Sequence, residues 1–198
     1  MAIIVDKVQK RKNIALSCKN LILEENIKNI TILKLTKQAK IAKGSFYDYF
    51  TNKEDLVFEI VSIFMQEYNK KLEKKINKAK NVKTKLKLFS EFFYNDEYKE
   101  LRKIYKEFIA IAISTPSEEM INFQTKCFDT YQKYLENIMK EAINKGELKK
   151  EAINFVEPFF VTMKGFYITF ETTKSIKNLK KSINDYIDLI YNLNKEFL

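Results

Sequence analysis

The chain has 198 residues, of which 45% are hydrophobic, and it carries 36 lysines and arginines against 26 acidic residues. Three glycines, two prolines and a dispersed charged fraction of 31% exclude collagen-like and linker-rich chains and argue against intrinsic disorder. The sequence contains no histidine, so every catalytic triad, proton relay or metal site that needs one is excluded. The length fits one or two folded domains.

The net charge of +10 is concentrated near the N-terminus. Residues 1–53 carry eleven basic and four acidic side chains, whereas the rest of the chain carries 25 basic and 22 acidic ones. A positive segment on a nearly balanced body is typical of a protein that meets phosphate groups at that end. We therefore expect a nucleic-acid-binding domain over residues 1–53 and a second domain over residues 54–198.

The sequence gives no sign of a metal site, a cofactor or a membrane segment. Cys18 and Cys127 are far apart and belong to no C-x-x-C pair, so we expect no metal and no cofactor. The first residues lack the apolar stretch of a signal peptide, and no apolar run reaches the length of about 18 residues that spans a bilayer. These features predict a cytoplasmic protein with no membrane partner.

Helical periodicity dominates, and no stretch alternates apolar and polar residues well enough to be a strand, so the predicted fold is all-α. A first helix is expected over residues 6–25, followed by two short elements over 30–39 and 43–50. Thr31 is placed to cap the first short element, and Asn52 opens a capping-box spacing that predicts a long helix from about residue 53. The core face of the first helix should contain Ile14, Ala15, Cys18, Leu21 and Ile22.

Further helices are predicted over residues 82–94, 97–113, 116–145, 150–173 and 179–197. Thr115 as cap and Pro116 at the first position signal the start of the third of these, and Gly146 signals its end. Pro158 falls inside the next helix, where a proline predicts a kink or a late start.

The N-terminal elements have the arrangement of a helix-turn-helix, in which two short helices follow a first helix and the second short helix enters the major groove of DNA. Gly44 removes a side chain where a backbone must approach something closely. Asp48 is repelled by phosphate, and it either accepts a hydrogen bond from a cytosine amino group or points aside. The expected outward face comprises Lys43, Ser45, Tyr47 and Asp48, and the expected anchors are Ile41, Phe46 and Phe50.

Residues 31–56 resemble the DNA-binding domain of the TetR/AcrR family of repressors. The family pattern places a Ser-Lys-Gly-Thr-Leu-Tyr-x-His-Phe recognition helix before a Ser-Lys-Glu-x-Leu helix start. Two positions depart from it, because Lys40 stands at the usual turn glycine and Ala42 at the usual capping serine. The matching stretch reads Lys43-Gly44-Ser45-Phe46-Tyr47-Asp48-Tyr49-Phe50-Thr51-Asn52-Lys53-Glu54-Asp55-Leu56.

The resemblance implies a role for individual residues of this stretch. Gly44 and Ser45 would lie close to base edges or to the DNA backbone. Hydroxyls and ammonium groups are suited to fixing a protein on phosphate, while few side chains read bases. The residues implied to hold phosphates are Thr31, Lys43, Tyr47, Tyr49 and Lys53.

For the rest of the chain, the resemblance implies an all-α domain that binds an effector and forms a homodimer. The two helices over about 116–145 and 150–173 would pair with those of a second copy, so that two recognition helices meet half-sites about 34–36 Å apart. A lipophilic or aromatic small molecule is the expected effector, although aromatic residues at helical spacing form core more often than pocket. The candidate lining residues are Phe64, Phe93, Tyr105, Phe108, Phe128, Tyr131 and Phe166.

The function expected from these features is a dimeric one-component transcriptional regulator, a repressor that binds a palindromic operator and is released by an effector. The same fold acting as an activator, or answering a protein partner, remains an alternative. A helical adaptor that uses its basic end on an anionic membrane is a further one. An enzyme is disfavoured, because the chain lacks histidine, a glycine-rich phosphate loop and a nucleophile motif. The effector, operator and target genes stay open.

Overall fold

The structure of the chain is a computed structural model that describes residues 2–25, 27–114 and 116–195, with side chains from Asp6 onward. Within these ranges the chain forms ten α-helices, four short 3₁₀ segments and no strand, which confirms the predicted all-α fold. The 3₁₀ segments span Ile27–Asn29, Glu91–Phe93, Asp96–Tyr98 and Lys150–Phe155. The helices are α1 (Ala2–Ser17), α2 (Lys19–Glu24), α3 (Ile32–Ala39), α4 (Lys43–Tyr47), α5 (Lys53–Lys78), α6 (Val82–Ser90), α7 (Lys99–Ser114), α8 (Glu118–Asn144), α9 (Val156–Thr172) and α10 (Leu179–Asn194).

The chain forms two compact units, and their boundaries differ from the expected one at residue 53. The first unit contains residues 1–69 and 100–123, and the second contains residues 70–99 and 124–198. The helices α5 and α8 each contribute to both units. Residues 1–53 therefore share one hydrophobic core with the start of α5 and with α7, because residues from all these segments belong to the same buried cluster.

The expected first helix is present but interrupted at Cys18. The Cys18 thiol donates to the carbonyl oxygen of Leu35 at 3.4 Å, which joins this break to α3. Of the expected core face, Leu21 is only half-buried, while the other four residues are buried together with Leu23.

Side-chain caps fix the helix starts that the sequence predicted. The Thr31 hydroxyl accepts a hydrogen bond from the N–H of Lys34 at 3.3 Å, and the Asn52 side chain accepts one from the N–H of Asp55 at 2.8 Å. One cap differs from the prediction, since α8 begins only at Glu118 and the Ser117 hydroxyl accepts from Met120 at 3.2 Å. Thr115, the predicted cap, lies outside the described residues.

A glycine and a proline account for the two ends of the connection between α8 and α9. Gly146 ends α8 with a left-handed backbone (φ +72°), as predicted. The helix α9 starts late, at Val156, after a 3₁₀ segment that runs from Lys150 to Phe155. Pro158 therefore sits in the first turn of α9, where a missing N–H leaves no hydrogen bond unmade.

The second unit has its own core, built mainly by α6, α9 and α10. Its largest fully buried side chains include Phe159, Met163 and Tyr167 of α9 and Leu86 of α6. The first turns of α6 are tied to the residues after α8, because the Glu147 carboxylate accepts the N–H of Val82 at 2.8 Å. Among the helices described, none combines the length and apolar character that crossing a membrane requires.

The turn between α3 and α4 carries backbone strain. Lys40 adopts the left-handed conformation (φ 55°, ψ 42°), as the missing turn glycine suggested. Its N–H bonds to the carbonyls of Thr36 and Lys37, which closes the end of α3. A side chain in this conformation costs about 1 kcal/mol or more, because its Cβ crowds the following carbonyl.

Arg11 holds α4 and the residues that follow it against the rest of the first unit. Its guanidinium donates to Asp55 at 2.7 Å, to Glu59 at 2.9 Å and to the carbonyl oxygen of Tyr49. The same group stacks over the ring of Phe50, 4.4 Å from its centroid. One side chain of α1 thus fixes both the residues that follow α4 and the first turns of α5.

These contacts lower the pKa of the Asp55 carboxyl group. Burial raises the pKa of Asp55, but hydrogen bonds from Arg11 and from the N–H and hydroxyl of Thr51 outweigh it and hold the pKa below its ordinary value of 3.8. A depressed carboxyl pKa contributes stability at neutral pH that disappears as the pH falls through the folded-state value.

The Lys40→Gly variant should raise the free energy of unfolding by about 1 kcal/mol, because glycine adopts the left-handed conformation without strain. Urea unfolding of the full chain measures the change. Lys40→Ala is the matched control, since it removes the same charge but keeps a Cβ, and it should give no such gain. An equal gain in both variants would show that charge rather than strain is relieved.

The Arg11→Ala variant should lower the free energy of unfolding by about 2–3 kcal/mol, because it leaves two half-buried carboxylates without their donor. Arg11→Lys should lose less, since it keeps the charge but not the planar fork. The difference between wild type and Arg11→Ala should begin to shrink below about pH 4, the ordinary range of a carboxyl group, and should be lost as the pH falls through the lowered folded-state pKa of Asp55. A difference that stays constant down to about pH 3 would contradict the assigned role of Asp55.

Candidate nucleic-acid interface

The short helix α4 turns an apolar side inward and a polar side outward. Phe46 and Phe50 are buried and pack against each other with tilted rings, whose centroids lie 5.4 Å apart. Tyr47 is 53% exposed, although its ring meets the edge of Phe46 at 5.5 Å. Lys43 and Asp48 are exposed at the two ends of the helix. The predicted anchors and the predicted outward face are therefore separated by the fold, with Ser45 half-buried and Ile41 partly buried against the core.

Packing within the chain does not explain why residue 44 is a glycine. It is exposed, and a Cβ built at this position would meet no heavy atom within 4 Å. Its backbone conformation is open to any residue, because its φ is not positive. A glycine in a helix costs about 0.5–1 kcal/mol relative to alanine. Any advantage of the missing side chain must therefore come from something outside the chain that approaches this point.

Three lysines around the α3–α4 turn carry charge that the protein does not neutralise. Lys37, Lys40 and Lys43 are exposed, and none of them forms an ion pair with any residue in the described ranges. By contrast, Lys34 pairs with Glu25 at 2.6 Å. Sequence reasoning missed Lys37 and Lys40 as candidate contacts, although the excess of basic residues over this segment was the signal that could have found them.

Thr31 and Tyr49 precede and follow these three lysines along the chain. Thr31 is exposed at the start of α3, where its hydroxyl already caps the helix. Tyr49 is half-buried, and the ammonium of Lys10 lies 5.7 Å from its ring centroid. The contact of Thr31 and Tyr49 with phosphate stays a prediction.

The ammonium of Lys53, predicted to contact a phosphate, forms hydrogen bonds within the chain. Its ammonium donates to the carbonyl oxygens of Ile27, Lys28 and Ile30 at 3.0–3.1 Å. An ammonium has three donors, and these three bonds use all of them. Lys53 therefore clamps the turn before α3, and a phosphate could be bound by this group only if one of those bonds were given up.

The seven candidate pocket residues fall in two different units. Phe64, Tyr105 and Phe108 belong to the first unit, where Phe108 packs with Phe58 and Phe123. The other four lie in the second unit. There Phe128 and Tyr131 both contact Phe160, while Phe93 contacts Tyr167 and Phe166 contacts Tyr186. The sequence predicted the aromatic content of the body but missed Phe160, which joins two of the candidates.

Comparison with known proteins identifies the N-terminal segment. The family described as "Bacterial regulatory proteins, tetR family" matches residues 19–60, which include α3, α4 and the start of α5. The HTH-type transcriptional regulator QacR of Staphylococcus aureus is 25% identical over 177 residues, which cover 88% of this chain and 92% of that protein.

Solved structures share the fold over nearly the whole chain. A TetR-family regulator from Cytophaga hutchinsonii aligns with a TM-score of 0.74 and 16% identity, over 96% of each chain. The regulator FadR from Bacillus subtilis, solved in complex with stearoyl-CoA, aligns with a TM-score of 0.65 and 23% identity, over 90% of this chain and 96% of that one. At such identities these structures establish the fold alone. The chain thus carries a segment that matches the tetR family of bacterial regulatory proteins, on a fold that it shares with solved TetR-family regulators.

Proposed function

We propose that this protein is a dimeric repressor that binds a palindromic operator through α4 and leaves it when a small-molecule effector binds. The observation that carries the proposal is the exposed face of α4. There Lys43 and Tyr47 flank Gly44, a glycine that no packing contact within the chain requires. A surface of ammonium groups, a phenol and an open backbone suits the phosphates and groove of DNA.

Individual contacts follow from the exposure of each group. Gly44 lets the helix backbone approach the groove, and Ser45 beside it lies near base edges. Because the Lys53 ammonium is already fully bonded, we leave it out of the phosphate contacts and add two unpaired lysines. The proposed phosphate contacts are Thr31, Lys37, Lys40, Lys43, Tyr47 and Tyr49.

The DNA-binding proposal is tested by fluorescence anisotropy on the DNA upstream of the gene and on a scrambled control. With about 6–10 phosphate contacts, affinity should fall by about 10³–10⁵ between 50 and 200 mM salt, while the preference for the native sequence survives. Lys43→Gln should reduce the slope of log affinity against log salt by about 1, without changing the preferred sequence.

Gly44→Ala separates recognition from stability in the same assay. The variant should keep or slightly raise the thermal stability, since alanine favours the helix and has room, yet lose about 10-fold or more in affinity for the native DNA. Unchanged affinity of Gly44→Ala, or equal affinity of the wild type for both DNAs, would overturn the assignment of α4 as the recognition helix.

A dimer is supported by apolar side chains that the single chain leaves uncovered on two helices of the second unit. On α9, Val161 is 50% exposed, and Gly165 and Ile168 follow it on the same side at helical spacing. On α10, Leu189 and Leu193 are 54% and 59% exposed. These faces favour α9 with α10 as the dimer helices, in place of the expected pair over 116–145 and 150–173. Burying such a face in a two-fold interface is the usual reason for its exposure.

Leu189→Asp should therefore convert the dimer into monomers, because a buried carboxylate without a partner is costly. Ile121→Asp is the matched control, since Ile121 is an equally exposed (51%) apolar residue on α8. Light scattering coupled to gel filtration measures the mass of both variants. Monomers from Ile121→Asp with an intact Leu189→Asp dimer would restore the first pair of helices.

Effector release requires a path from the body to the recognition helix, and α7 offers contacts for it within the first unit. The Glu107 carboxylate accepts the N–H of Ile27 at 2.7 Å, the ammonium of Lys103 donates to the carbonyl of Leu23, and Lys19 pairs with Glu100 at 2.8 Å. In addition, α5 runs without a break from the Lys53 clamp into the second unit. A ligand that shifts α5 or α7 would move the turn before α3.

This coupling demands that the effector bind the free protein more tightly than the operator-bound protein. Isothermal titration with each form measures the two affinities, and equal values would contradict release by this route.

A further inference from the structure

One lysine of the second unit is half-buried and has no carboxylate partner among the described residues. Lys164 lies on α9, half-buried, with its ammonium 4.8 Å from the ring centroid of Phe128 and 5.0 Å from that of Phe160. None of the carboxylates in the described part of the chain pairs with it. Burial lowers the pKa of Lys164, as expected for a cation that has lost water without gaining an anion.

Other shielded lysines of this unit are neutralised. Lys85, with only 11% of its side chain exposed, pairs with Glu141 at 2.6 Å, and Lys75 pairs with Glu91 at 2.9 Å. Aromatic faces attract an ammonium, but by less than a carboxylate attracts it in the same surroundings. Of these three half-buried lysines, Lys164 is the one with aromatic rings and no carboxylate beside its ammonium in the described part of the chain.

Cys127 cannot meet that demand. Its thiol lies near Lys164, yet burial raises its pKa to about 11 despite the attraction of the ammonium. The thiol therefore stays protonated and neutral at physiological pH, and it is a poor nucleophile for the same reason.

The surroundings of Lys164 are aromatic. Phe160 contacts Phe128 at 5.1 Å, Phe89 at 5.8 Å and Tyr131 at 6.1 Å between ring centroids. A single unneutralised cation beside a wall of rings is complementary to a molecule with an apolar body and one negative group. It is unfavourable for a cationic molecule, because Lys164 already occupies the ring faces and repels a second positive charge.

We propose that the effector is an amphipathic anion, a carboxylate with an apolar tail, whose head group pairs with Lys164 while its tail packs on Phe160 and the neighbouring rings. The proposal rests on the effector-responsive function proposed above and specifies the chemistry of its ligand. Lys164 then determines specificity, because a ligand without the negative group leaves the ammonium unpaired.

Isothermal titration of the full chain with three ligands of equal tail length tests the proposal. The ligands are dodecanoate, dodecanol and dodecyltrimethylammonium, each below the concentration at which it forms micelles. Dodecanoate should bind at least about 10-fold more tightly than the other two, since a charge-assisted hydrogen bond contributes this much when shielded from water. Equal affinity for the three ligands, no binding of dodecanoate, or a preference for the cation would overturn the proposal.

The Lys164→Met variant tests whether Lys164 causes the preference for dodecanoate. The variant should lose about 10-fold or more in affinity for dodecanoate and keep its affinity for dodecanol. It should also fold at least as stably as the wild type, because it removes an unpaired cation. Lys126→Met is the matched control, since Lys126 is an exposed lysine on α8 next to Cys127, and it should bind dodecanoate normally. An equal loss in both variants would reduce the effect to overall charge and overturn the assignment.

The operator assay keeps the two proposals apart. Dodecanoate should lower the affinity of the wild type for its upstream DNA, and it should have no such effect on Lys164→Met. Binding of dodecanoate through Lys164 without any DNA binding by the protein would overturn the repressor function but not the ligand site. DNA binding without a preference for dodecanoate would do the reverse.

Discussion

The placement of α4 and of the residues after it depends on the guanidinium of Arg11. It reaches Asp55 and Glu59 on α5, the carbonyl of Tyr49 after α4, and the ring of Phe50. A helix of five residues has little stability of its own, since helix formation becomes favourable only over longer segments. The orientation of α4 is therefore set by what lies around it, and arginine suits this task because its planar fork satisfies several acceptors at once.

A second set of polar contacts fixes the turn before α3. Lys53 binds three carbonyls of this turn, and Glu107 of α7 binds the N–H of Ile27. Both contacts are made to backbone atoms, so they hold the position of the turn whatever its side chains are. The same region thus receives one constraint from α5 and one from α7, which is the arrangement that a regulator needs if movement of either helix is to alter DNA binding.

Local signals in the sequence predicted much of this molecule. Thr31 and Asn52 predicted the starts of their helices, because a cap accepts hydrogen bonds from N–H groups only two or three residues away. Lys40 predicted backbone strain, because the turn requires a residue in the left-handed conformation. The sequence could not predict the partners of Lys53 or the isolation of Lys164. Those features depend on which residues distant in sequence come together. The exposed apolar faces of α9 and α10 depend on the same long-range packing, and for that reason the sequence did not single out α10 as a candidate dimer helix.

In the proposed complex, two copies of α4 bind one operator as parts of a two-fold dimer. Hydroxyl-radical footprinting of the full chain on its upstream DNA tests this most directly, because it reports which sugars the protein covers. The account predicts two protected patches on one face of the duplex, with centres about 34–36 Å apart. A single patch, or uniform weak protection along the DNA, would contradict it.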